Sequence, residues 1–297
     1  MNILQVSAPK TGSFWLNTIL KNILEKKNIR VSSFIKQQPV FAEIKEKDLS
    51  FKEQAAVDMM DIQEDGFFYR VSSILKEPIN DLEAYSNSAT LAWTHSTWCT
   101  KSHSIFDLFD KKVCIVRDPR DRALSSAKFA FTPYMQKHYP TSYSDPDEYL
   151  AAEFENLMKQ WVWFYGNYLL RKERLDLHFI FYENLLNDFD REFDLLLKYL
   201  NLPLSDRQKK EIAEAVSFKS MKEDSPGHLQ KGRSMKWIEQ LSPVQQKIAS
   251  ENAGTLMEIL NYPLSAEEKE KQPCLPNKLP KQQLQEILST INWQQLY

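Results

Sequence analysis

The sequence predicts an α/β fold: one domain, built on a central, mostly parallel sheet flanked by helices. Three observations predict it. A short apolar run, Ile3, Leu4 and Val6, stands just before apolar residues at helical spacing, Leu16, Ile19, Leu20, Ile23 and Leu24, the pattern of a buried parallel strand that turns into a helix. Val113-Cys114-Ile115-Val116 repeats the arrangement and runs straight into the charged segment 117–126. The 297 residues are 42% hydrophobic, enough for one large core, and parallel α/β domains of this length are common.

Composition excludes several functions. Lys plus Arg number 38 against 40 Asp plus Glu, so no global basic field draws in nucleic acid and any anion site must be local. Cys99, Cys114 and Cys274 are widely spaced and lack a Cys-x-x-Cys pair, which argues against a disulfide framework and a structural zinc site, and for a reducing cytoplasm. A core strand beginning at Asn2 leaves no room for a signal peptide, and no run of eighteen apolar residues spans a membrane. Only six glycines occur, so Gly12, Gly227 and Gly232 are expected to mark special backbone positions.

The first strand leads into Pro9-Lys10-Thr11-Gly12-Ser13-Phe14-Trp15, and its helix runs from about Trp15 to Glu25. Pro9 and Gly12 permit a tight turn, the amides of Thr11 to Trp15 can converge at a helix start, and Lys10 adds charge. The segment reads as a phosphate cradle or as an ordinary strand-to-helix turn. It is a poor Walker loop, because Lys10 precedes the only glycine. Residues 26 to 90 break into short helices and loops at Pro39 and Pro78, with 55–62 reading as one face of a helix and Phe67-Phe68-Tyr69 as core aromatics. Thr90 to Thr94 form a strand with His95 at its carboxyl end, where parallel α/β sheets gather ligands. Arg117-Asp118-Pro119-Arg120-Asp121-Arg122 and the later Ser125 make a second anion site, or a helix start with internal salt bridges. His95 precedes Arg117 by 22 residues, room for a short helix and a returning strand that would set both on one cleft.

Residues 130 to 150 are polar and aromatic and read as a loop over the site. Glu153 to Leu170 form a long helix, in which Trp161 and Trp163 read as core. Leu177 to Phe181 form a strand that meets a helix start at Tyr182. An amphipathic helix over 190–200 stops before Pro203, and another over 206–216 leads into Ser217-Phe218-Lys219-Ser220-Met221. Gln230-Lys231-Gly232-Arg233-Ser234-Met235-Lys236-Trp237 precedes a closing helix over 241–260. The tail, 264–297, carries an apolar stretch from Leu284 to Trp293 suited to a docking helix.

In this order the segments resemble the sulfotransferases that use 3′-phosphoadenosine 5′-phosphosulfate, PAPS, and release 3′-phosphoadenosine 5′-phosphate, PAP. Pro9 to Trp15 is similar to their 5′-phosphosulfate loop, and Thr94-His95-Ser96 to the segment bearing their catalytic histidine. Arg117 to Ser125 is similar to their 3′-phosphate motif, Tyr182-Glu183-Asn184-Leu185 to the segment whose tyrosine bonds the adenine end, and Ser217 to Met221 to the one whose phenylalanine sandwiches adenine with the loop tryptophan. Gln230-Lys231-Gly232 resembles their second 3′-phosphate grip. The resemblance runs from Pro9 to Trp237 and implies a P-loop-kinase-like sulfotransferase fold. It implies a cytoplasmic enzyme that moves a sulfuryl group to the hydroxyl or amine of a small-molecule or lipid-like acceptor.

The implied catalytic residues are His95, a general base near its ordinary pKa of about 6.5, and Lys10. The implied cofactor residues are Lys10, Thr11, Gly12, Ser13, Phe14, Trp15, Arg117, Ser125, Tyr182, Ser217, Phe218, Gln230, Lys231 and Gly232, with no metal, no nucleic-acid partner and no membrane segment. Four positions depart from the pattern. Trp93 stands for a lysine, Gln230 for an arginine, Met235 for a second glycine, and Phe14 where a small hydroxyl residue is usual. Arg233 is the candidate to restore the charge missing at Gln230. The family's usual dimer motif is absent from the closing helix, leaving the oligomeric state open. A PAP-binding regulatory module without turnover and a P-loop nucleotide kinase are the rival readings.

Overall fold

The computed structural model describes residues 1–47, 49–51, 53–224 and 232–296. Seven strands, β1 (Ile3–Ser7), β2 (Asp58–Ile62), β3 (Phe67–Val71), β4 (Leu75–Pro78), β5 (Leu91–Thr94), β6 (Lys111–Val116) and β7 (Leu177–Phe181), form one sheet in the order β4-β3-β2-β5-β1-β6-β7. The five strands from β2 to β7 in that order are parallel, and β3 and β4 extend the sheet as an antiparallel meander. Every residue of β1 is buried, as expected of a central parallel strand covered on both faces.

Side-chain alternation distributes the core. Ile3, Val113 and Ile115 face one layer with Leu16, Ile19 and Leu20 of α1 (Ser13–Lys26), while Leu4, Val6, Cys114 and Val116 face the other. That second layer contains α2 (Pro119–Ala130) and the long α3 (Pro146–Leu175). The first is completed by α4 (Phe189–Leu200) and α5 (Asp206–Ala215), after which comes α6 (Phe218–Asp224). The closing helix is α7 (Pro243–Ile259), and the tail supplies α8 (Lys281–Ser289). Local chemistry explains the ends: Asp145 caps α3 by accepting from the amides of Asp147 and Glu148, both at 2.9 Å, with Pro146 in its first turn. Helix α4 ends at Asn201, whose left-handed φ of 57° closes it before Pro203 is reached.

Three expectations change. Residues 55–62 are not one helical face: a 3₁₀ turn over Gln54–Ala56 precedes β2, in which Asp58, Met60 and Ile62 are buried and Met59 and Asp61 less so. Residues 130–150 are not all loop, because Thr132 caps a helix over Pro133–His138, whose Tyr134 hydroxyl donates to Ser72 Oγ at 2.5 Å. Of the aromatic patch at 67–69, only Tyr69 is buried. In the tail Leu284 is fully buried, and a Cβ added at Gly166 of α3 would stand only 3.0 Å from Leu288 Cδ2.

Candidate active site

The site grows from one edge of the sheet. β1, β5, β6 and β7 point their carboxyl ends the same way, so the loop 8–12, His95, Arg117 and Tyr182 all emerge together. They line a cavity of about 470 Å³ with Trp15, Phe218 and Gly232. Gly12 is required twice over, by its φ of +94° and because a Cβ there would stand 2.6 Å from Tyr182 Cδ2. Lys10 also holds a left-handed φ of 68°. The loop is braced from behind: Gln5 Nε2 donates to Ser13 O at 2.7 Å, Arg122 Nε to Pro9 O at 3.0 Å, and Ala8 N to the Tyr165 hydroxyl at 3.3 Å. Helix α1 starts with no side-chain cap, a helix end of the kind that receives anions.

Five cations, Lys10, Arg117, Lys128, Arg233 and Lys236, line the cavity, and no described carboxylate does. Loss of water and the nearby Arg117 lower the Lys10 pKa to about 7, and its ammonium rests 3.6 Å from the centre of the Phe129 ring. The Arg117 guanidinium lies 4.4 Å over Tyr182 and donates to Lys10 O at 3.1 Å and Arg233 O at 3.4 Å. Its buried Nε has no hydrogen-bond partner among the described residues. An orphaned guanidinium N–H, an uncapped helix start and cations without carboxylates fit a ligand bearing several phosphate-type charges.

His95 lines the same cavity. Its Nδ1 lies 2.6 Å from Ser7 O, and a carbonyl only accepts, so Nδ1 carries the proton and Nε2 the lone pair. Trp93 Nε1 donates to Ser7 Oγ at 3.2 Å, and its ring meets the imidazole edge-on with centroids 5.2 Å apart. Burial, reinforced by Arg70, Arg122 and Lys10 and opposed by the Ser7 bond, pulls the His95 pKa to about 4. The expected value near 6.5 is therefore corrected: the ring is held neutral far into the acid range.

Residues 2–258 match the sulfotransferase domain family. The chain belongs to this family. Solved sulfotransferases share the fold at low identity: a mouse sulfotransferase complexed with PAP is 18% identical, with a TM-score of 0.57, over 98% of this chain and 89% of its own. A retinol dehydratase in a complex with retinol and PAP is 17% identical, with a TM-score of 0.60, over 88% of this chain and 83% of its own. No curated protein sequence matches the chain.

The sulfotransferase chain brings Lys10, Gly12, Ser13, Phe14, Trp15, His95, Arg117, Ser125, Tyr182, Phe218 and Gly232 to one cavity. Thr11 is behind it, fully buried, its hydroxyl donating to Ala8 O at 2.8 Å, so only its backbone can serve a ligand. Ser217 is outside the lining and instead accepts from Ser220 N at 3.3 Å. Gln230 and Lys231 lie outside the described residues. Trp15 and Phe218, expected on opposite faces of adenine, touch each other with centroids 4.8 Å apart and planes at 49°; no base fits between rings so placed. Trp15 is anchored by its indole N–H to Val216 O at 2.9 Å, and the Phe218 ring lies so close to Gly232 that a Cβ there would stand 2.5 Å from its Cε2.

Sequence reasoning missed the residues that support the sulfotransferase site from a distance. Trp161 of α3 donates to Arg117 O at 2.9 Å, and Tyr165, one turn on, to Ile115 O at 2.8 Å. Of the charged side chains in the motif only Arg117 lines the cavity: Arg120 pairs with Asp118 at 2.6 Å and donates to Pro263 O at 2.6 Å, and Arg122 holds the loop. The place of Lys128 three residues after Ser125 on α2, and of Lys236 directly before Trp237, could have flagged both. Among the described residues no helix is long and apolar enough to cross a membrane, and no cluster of three or more His, Cys, Asp or Glu could hold a metal ion.

Proposed function

We propose that this sulfotransferase moves the sulfuryl group of PAPS to the hydroxyl, or amine, of a small-molecule or lipid-like acceptor, with His95 as general base. The observation that carries the reading is the bond from His95 Nδ1 to Ser7 O, which leaves Nε2 unprotonated at the cavity that Lys10 also lines. PAPS, when bound, supplies the activated sulfuryl group and leaves as PAP. Lys10 and the first amides of α1 stabilise negative charge that grows on the departing phosphate side. The anion also restores the ammonium of Lys10, whose pKa of about 7 leaves it half neutral without a partner. Arg117 and Ser125 bind the 3′-phosphate, and Tyr182, Trp15 and a displaced Phe218 enclose the adenine.

Phe14, Met59, Trp93 and Phe129 form the apolar wall that continues the lining from His95, and they would hold an apolar acceptor with its hydroxyl toward Nε2. Retinol dehydratase, solved in complexes with retinol and with androsterone, supports that acceptor class. Three unpaired cysteines support a reducing compartment such as the cytoplasm. His95→Gln tests the reading. Turnover falls by roughly 10²–10⁴ while PAP affinity, by calorimetry, stays within about twofold; a loss of PAP affinity instead would make His95 a binding or structural residue.

A further inference from the structure

We propose that Lys236 is a second cation for the 3′-phosphate, standing with Arg117 and Ser125 and supplying the charge that Gln230 does not carry. The inference rests on the PAPS reading above. Lys236 lines the same cavity as Arg117 and Ser125. The residue after it is fixed: Trp237 is fully buried, its amide donates to Asp121 Oδ1 at 3.0 Å, and its ring lies 3.5 Å beneath the Arg120 guanidinium. Asp121 and Ser125 are four residues apart on α2 and share a face. The Lys236 backbone is thus pinned one helical turn from the serine that binds the phosphate.

Its charge has no other employment. Arg117, Lys128 and Arg233 act on it as like charges, and Asp121 is the one carboxylate among the described residues that acts on it. Asp121 already accepts from Trp237 N, and burial beside Asp118 raises its own pKa to about 6. Lys236 makes no ion pair among the described residues, and partial burial with Arg117 nearby lowers its pKa to about 8. A half-buried ammonium among cations is unfavourable until an anion arrives. Arg233, the alternative replacement, is exposed and meets Arg117 through its carbonyl rather than its guanidinium.

Calorimetric binding of PAP and of adenosine 5′-monophosphate, which lacks the 3′-phosphate, tests this in the full chain. Lys236→Met weakens PAP about tenfold and leaves the monophosphate within about twofold, while Lys236→Arg stays within about threefold for both ligands. Equal losses for both nucleotides, or no loss for PAP, would overturn the assignment; the arginine variant separates a lost charge from a disturbed fold. Should the unaltered chain bind PAP no more tightly than the monophosphate, the 3′-phosphate reading itself fails, and this inference with it.

Discussion

At the residue scale the site consists of groups tuned by their surroundings. In the free protein His95 is neutral above a pKa of about 4, and Lys10 is charged below a pKa of about 7. In the proposed roles, a base that must be neutral to take a proton and a lysine that must be charged to hold an anion, kcat/KM rises through about pH 4, reaches a plateau and falls through about pH 7. A profile measured from pH 4 to 9 with a saturating acceptor checks this, and an acid limb near 6.5 would show that His95 is solvated rather than enclosed. Most of the residues that line the cavity were legible in the sequence because Pro9 to Trp15 and Arg117 to Ser125 are continuous strings whose spacing is itself the geometry. The tuning was not. It depends on Ser7, Arg70 and Arg122, residues that come within range of the ring only after strands far apart in sequence pair.

At the scale of elements, the loop between β1 and α1 is a moulded part. An alanine at Gly12 would have to keep a φ of +94° and push Tyr182 away from a 2.6 Å approach. Gly12→Ala therefore costs about 1–3 kcal/mol, read as a lower urea midpoint at unchanged slope, and PAP binding is lost because the amides no longer converge. Retained binding at full affinity would mean that the cradle is not where the anion sits. Long elements announced themselves, as α3 and α4 did through sustained apolar spacing. The stretch at 55–62 did not, because a run of small and apolar residues satisfies a helical and a strand pattern alike; its pairing with β5 and β3 decides the matter. Phe218 was legible by type and not by pose, since ring packing against Trp15 is a property of the folded neighbourhood.

For the whole molecule, the sheet order brings four strand ends to one rim, so a ligand there touches segments from Pro9 to Lys236 and should tie them together. PAP at a hundred times its Kd adds about 2.7 kcal/mol to apparent stability, a rise in melting temperature of roughly 5 °C for a chain of this size. ATP with Mg²⁺ gives no comparable shift; a larger one for ATP with Mg²⁺ would favour nucleotide-kinase chemistry. The parallel wiring also gives the molecule a back. Asp110, exposed at the amino end of β6 and bonded to Asn2 N at 2.9 Å, lies at the strand ends opposite the cavity. A thiol introduced there by Asp110→Cys, after the exposed Cys274 is changed to Ser, would fasten the protein to a resin or an electrode with its reactive rim turned outward.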